Sequence, residues 1–140
     1  MADCPDGAPE EVGARKSTGS LAVRSFCSRW LPVALWMIAI FALSGMPSRR
    51  LPNLGIPYVD KIAHACAYAA GGLLSARAAQ HATAAFLIPA AFGASDEWHQ
   101  QSVPGRNSDI ADWAADCIGA LVGVVIYRLF RRARLTSPQR

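Results

Sequence analysis

The sequence predicts an all-α fold: a four-helix transmembrane bundle with a disordered polar N-terminal tail. Three observations predict it. Apolar residues make up 52% of the 140 residues and charged residues 17%, a balance that leans towards a membrane protein. The apolar residues gather into four runs separated by polar stretches. Within and beside those runs, the ionisable residues recur at the spacing of one helix face.

Residues 1–22 carry Asp3, Asp6, Glu10, Glu11, Arg15 and Lys16 among Gly, Pro and Ser, with no apolar core run. This composition reads as a disordered tail, because a cleavable signal peptide needs an apolar segment there. A transmembrane domain is expected over 23–132, and a basic cytoplasmic tail over 133–140. The first apolar run begins at residue 26 or 30 and ends near 43. The others cover about 62–79, 82–94 and 110–130, the third being short and carrying Pro89. Crossing the hydrocarbon takes roughly 20 residues at 1.5 Å each. The first and third runs therefore need their flanking residues, which puts Asp96, Glu97 and Gln100 on the third helix. Cys4, Cys27, Cys66 and Cys117 have no paired spacing and read as small packing residues.

The distribution of charge sets the expected orientation. With both termini inside, ten Lys and Arg lie on the inner side, and Arg49, Arg50, Lys61 and Arg106 on the outer. The positive-inside rule then favours N-in and C-in, with Trp30 and Tyr127 at the inner interface and Trp98 and Trp113 at the outer. The basic C-terminal end is thereby an orientation signal and a contact for anionic lipid, and nucleic acid is not an expected partner. Four carboxylates sit in the tail; Asp60, Asp96, Glu97, Asp109, Asp112 and Asp116 all fall on the outer side.

The last helix carries Asp109, Asp112, Asp116, Gly119 and Gly123 at spacings of 3, 4, 3 and 4, which is one face. That face must look into a bundle, since carboxylates do not face lipid tails. Its Gly-x-x-x-Gly lets another helix approach closely and is also a candidate homo-oligomer contact. Asp116 lies roughly 9 Å in from Ile110, so it must be paired, protonated or wetted. The second helix carries Asp60, His64, Tyr68 and Gly72 at intervals of four, with Lys61 beside them. On the third, Glu97, Gln100 and Gln101 share a face, and Pro104-Gly105 forms a turn that presents Arg106.

Taken singly, each of these groups is read most simply as a structural pair or an interhelical hydrogen bond. Their convergence from three helices on one outward recess is what predicts a site. Glu97 and His64 are the candidate proton movers. Asp60, Lys61, Tyr68, Asp96, Gln100, Arg106, Asp109, Asp112 and Asp116 are the candidate binding residues. No metal or cofactor is expected: Cys66 or Cys117 beside His64 or His99 does not make a ligand signature.

The motifs resemble those of the VanZ-like family of small bacterial membrane proteins, named after a protein associated with teicoplanin resistance. The matching pieces are Ser44 and Pro47, then Asp60-Lys61, His64 and Tyr68, then Asp96-Glu97 and Gln100. Pro104-Gly105-Arg106 and the Asp112 and Gly119 of the last helix complete the order. The family usually has Asn where this chain has Asp116. The resemblance implies a four-span bundle in the bacterial cytoplasmic membrane and a link to the cell envelope and glycopeptide resistance.

Three functions fit these expectations. The first is an outward pocket binding an anionic or lipid-linked envelope component, such as a cell-wall precursor, with Arg106 and Lys61 holding phosphate or carboxylate. The second is an enzyme acting on such a lipid by general acid/base chemistry; no Ser or Cys nucleophile with an obvious base beside it is apparent. The third is an oligomeric transporter or flippase component.

Overall fold

A computed structural model describes residues 10–47, 58–106 and 108–136. Among them the chain forms four helices and no strand: α1 (Glu10–Ser44), α2 (Val59–Ala78), α3 (Ala82–Gln100) and α4 (Ile110–Thr136). Asp96, Glu97 and Gln100 extend α3 beyond its apolar run, as that run's short length predicts.

The ends of the domain differ from expectation. α1 is continuous from Glu10, so 10–22 is helical where a disordered tail is predicted. The stretch from residue 10 holds good helix formers by type, and no proline interrupts it before Pro32. α4 likewise runs to Thr136, past the expected boundary at 132, because Arg131, Arg132, Ala133 and Arg134 sustain a helix in water. Cys4, Arg49, Arg50 and residues 1–9 and 137–140 lie outside the described residues.

α1 over Val23–Ser44 and the whole of α4 are long and apolar enough to cross a membrane. α2 and α3, at 20 and 19 residues, have nearly the length but not the composition. Asp60, Lys61, His64 and Arg77 dilute one, and Asp96, Glu97, His99 and Gln100 the other. The apolar surface is nonetheless extensive. Leu31, Leu35 and Ile38 on α1 and Ile118, Leu121, Leu129 and Phe130 on α4 are all exposed. Such a surface suits contact with lipid.

α2 and α4 form the tightest contact in the molecule. A side chain at Gly119 would strike the Ala65 backbone, one at Gly123 the Ala69 backbone, and one at Gly72 the Ala120 backbone. Backbones this close gain van der Waals contact, the attraction that remains between helices whose apolar side chains would be equally content in lipid. Gly119 and Gly123 are therefore used within the chain, and a homo-oligomer would need another surface. α1 joins through Trp36. Its ring stands where a Gly71 side chain would be, its Nε1–H donates to Ala67 O at 3.0 Å, and it meets Tyr68 edge-on at 5.2 Å. α3 is tied to α4 by Trp113, whose Nε1–H donates to Ala90 O at 3.0 Å. Ala76, Ala85 and Val124 form a small core near the opposite end.

Candidate functional site

At one end of the molecule, α2, α3, α4 and the end of α1 bring their polar side chains together. The stripe on α2 begins with Asp60, which is exposed and only 3.6 Å from the Lys61 ammonium. Lys61 turns the other way, across to α4, and donates to Asp109 Oδ2 at 2.9 Å and Asp112 Oδ1 at 2.7 Å. The ammonium holds the Asp109 carboxyl below the ordinary carboxylate range, and the Ala111 N–H, donating to Oδ1 at 2.9 Å, adds to the effect. An ammonium so occupied has little left for a ligand, which revises the expectation that Lys61 holds a phosphate.

One turn further along α2, His64 Nδ1 lies 2.9 Å from Asp116 Oδ1. Asp116 is fully buried. This contact is the partner that its depth on α4 demands. A further turn in, Tyr68 is 1% exposed, and its hydroxyl has no hydrogen-bond partner. Its ring edge and Asp116 Oδ2 meet at Gly93 of α3, where a side chain would crowd both.

α3 supplies Asp96, Glu97 and Gln100, all buried. Glu97 Oε2 accepts from the Asp109 backbone N–H at 3.1 Å, and Oε1 from the Gln100 amide at 3.4 Å. One donor atom each from His64, Glu97 and Asp116 fall within 4.8 Å of one another. The sequence reading, which expected no metal, did not foresee this grouping. The three come from three helices, so no spacing in the sequence marks them. His99 takes no part in that group and stacks on Phe41 at 4.2 Å.

Arg106 spans the gap to α1. Its Nε donates to Met46 O at 3.3 Å, Nη2 to Leu43 O at 3.2 Å and Nη1 to Gln100 Oε1 at 3.3 Å. All three acceptors are neutral, and no carboxylate among the described residues pairs with it. The turn that presents it has Gly105 at φ 79°, a left-handed conformation that suits glycine.

Sequence reasoning left Ser44 out of the site, although the motif order includes it. Its hydroxyl donates to Asp96 Oδ2 at 2.5 Å, so a serine beside a carboxylate does occur here. The only signal in the sequence is a polar residue closing an apolar run. Ser44, His64, Tyr68, Asp96 and Arg106 share a cavity of about 420 Å³. Ile40, Leu43, Val59, Ala63 and Ala67 form its apolar wall.

The order of these pieces along the chain, from Ser44 to the glycines of α4, matches a known pattern. A family model described as VanZ/LLP1 matches residues 15–131. The chain belongs to the VanZ/LLP1 family. No curated protein and no solved structure matches it. With two helices fit to cross a bilayer, membership of VanZ/LLP1 points to a membrane protein.

Proposed function

We propose that this VanZ/LLP1 protein crosses the bacterial cytoplasmic membrane four times, N-in and C-in, and binds an anionic, lipid-linked envelope component in an outward-facing pocket. The pocket's composition carries this reading. One wall is apolar and suits an acyl or polyprenyl chain. At the other side, beside Asp60 and Asp96, stands a guanidinium that no carboxylate among the described residues pairs with. A planar, always-charged fork of that kind suits phosphate. Four spans are supported by the nearly sufficient length of α2 and α3. Their charged residues cluster at helix ends or point towards other helices, where a bilayer tolerates them.

Saturable binding of a labelled polyprenyl phosphate to the purified protein is the direct test. Arg106→Gln should weaken it at least about tenfold, the effect of losing one charge-assisted contact. Equal binding by wild type and Arg106→Gln would reject the pocket as the anion site. Alkaline phosphatase fused after Val103 should be active, and inactivity would reverse the orientation.

A second reading, acid/base chemistry on such a lipid, is favoured by the His64–Asp116 contact at the pocket wall with Glu97 close by. Product formation that disappears in Glu97→Gln would support it; binding without product supports a receptor. A flippase role has no comparable observation behind it.

A further inference from the structure

We infer that His64, Glu97 and Asp116 form a binding site for a divalent transition-metal cation of the Zn²⁺ or Mn²⁺ class. Convergence comes first: three potential ligand atoms from α2, α3 and α4 lie within 4.8 Å of one another. A small shift would let them close around one ion.

The second observation is independent of that spacing. Among the described residues, four buried side-chain polar atoms lack a hydrogen-bond partner; one is Asp116 Oδ2 of this group, and another is the hydroxyl of Tyr68, whose ring edge meets Asp116 Oδ2 at Gly93. Their residues are at most 1% exposed. Buried polar atoms are rarely left without partners, and several together point to something that completes them. The third concerns charge. Lys61 is taken by Asp109 and Asp112, and Arg106 by neutral oxygens. No lysine or arginine among the described residues pairs with Asp96, Glu97 or Asp116. Two buried carboxylates, Glu97 and Asp116, beside a single imidazole leave a negative charge that an added cation would balance.

The donor set chooses among cations. One imidazole nitrogen and two carboxylate oxygens suit Zn²⁺ or Mn²⁺, whereas Mg²⁺ and Ca²⁺ prefer oxygen alone. Three protein ligands leave positions open to water, as in reactive rather than purely structural sites. An outer layer is also present. The Asp109 N–H and the Gln100 amide fix the Glu97 carboxylate, and Arg106 in turn holds Gln100. His64 lies on the wall of the 420 Å³ cavity, which supplies an entry path. The inference goes beyond the lipid-binding reading and does not rest on it.

The test is equilibrium dialysis of the purified full chain in detergent against ZnCl₂ or MnCl₂, with MgCl₂ in parallel, followed by elemental analysis. About one Zn²⁺ or Mn²⁺ per chain is expected, retained in the Cys66→Ser/Cys117→Ser double variant. Glu97→Gln and Asp116→Asn should each abolish it, and Gln100→Ala should weaken it about tenfold through its grip on Glu97. X-ray absorption of the wild-type protein loaded with Zn²⁺ should show only nitrogen and oxygen ligands, a readout that needs no variant to fold. Sub-stoichiometric uptake, uptake equal for Mg²⁺ and Zn²⁺, or sulfur ligation would overturn the site. So would binding unchanged by Glu97→Gln.

Discussion

The two ends of the molecule are both rich in charge and handle it in opposite ways. At the polar end, every carboxylate from Asp96 to Asp116 meets a named donor, and most of those side chains are buried. At the other end, Arg29, Arg77 and Arg131 are exposed around a shallow cup, and Arg128 donates to a backbone carbonyl, Gln80 O, at 3.2 Å. No carboxylate ion pair occurs there among the described residues. One end is thus an organised interior whose parts depend on each other, and the other a solvated fringe whose charges act separately. Partner removal should be costly at the first and nearly silent at the second.

The largest effect should come from the frame that holds both ends in place. Gly123→Leu sets a side chain against the Ala69 backbone and should cost about 3 kcal/mol or more, read as a loss of thermal stability in detergent. Next, Lys61→Met leaves Asp109 and Asp112 facing each other without a cation. A clear loss of thermal stability is expected, less than for a fully buried pair because the Lys61 side chain is 27% exposed. Lys61→Arg should recover most of it. Ser44→Ala removes the hydroxyl donor to buried Asp96 and should cost about 1–2 kcal/mol in the same assay.

Acid should separate the ends as well. The folded-state pKa of Asp109 lies below its unfolded value, so its contribution is complete above that unfolded value and is lost as pH falls through the lower, folded one. Stability of the wild type should fall on acidification below about pH 4, and Asp109→Asn should flatten that limb. The smallest effect belongs to the arginine end: Arg77→Gln and Arg131→Gln should change stability by less than about 0.5 kcal/mol. A loss there as large as that of Lys61→Met would erase the contrast.

Much of the polar end was legible in the sequence, because helical spacing fixes which residues share a face. Asp60, His64 and Tyr68 had to descend one side of a helix, and Asp109, Asp112 and Asp116 one side of another. The need to bury a carboxylate then directed the two faces at each other. Spacing does not say which donor meets which acceptor across helices. Hence the double engagement of Lys61, the Ser44–Asp96 bond and the grouping of His64 with Glu97 and Asp116 came only with the coordinates. The helix ends were also hidden. Apolar periodicity stops where the lipid-facing surface stops, whereas Arg131 to Arg134 and the residues after Glu10 continue as helix on backbone propensity alone.

The uneven attachment of α1 has a mechanical consequence. α2 and α4 are locked backbone to backbone, and α3 is pinned to α4 by an indole. α1 holds on through Trp36, the Phe41–His99 stack, a single hydroxyl and the fork of Arg106, yet it forms one side of the cavity with Ile40, Leu43 and Ser44. Of the four helices it is the least firmly attached. An outward tilt at Ser44 would open the chamber sideways, giving the proposed lipid-linked ligand a way in that need not first pass through water.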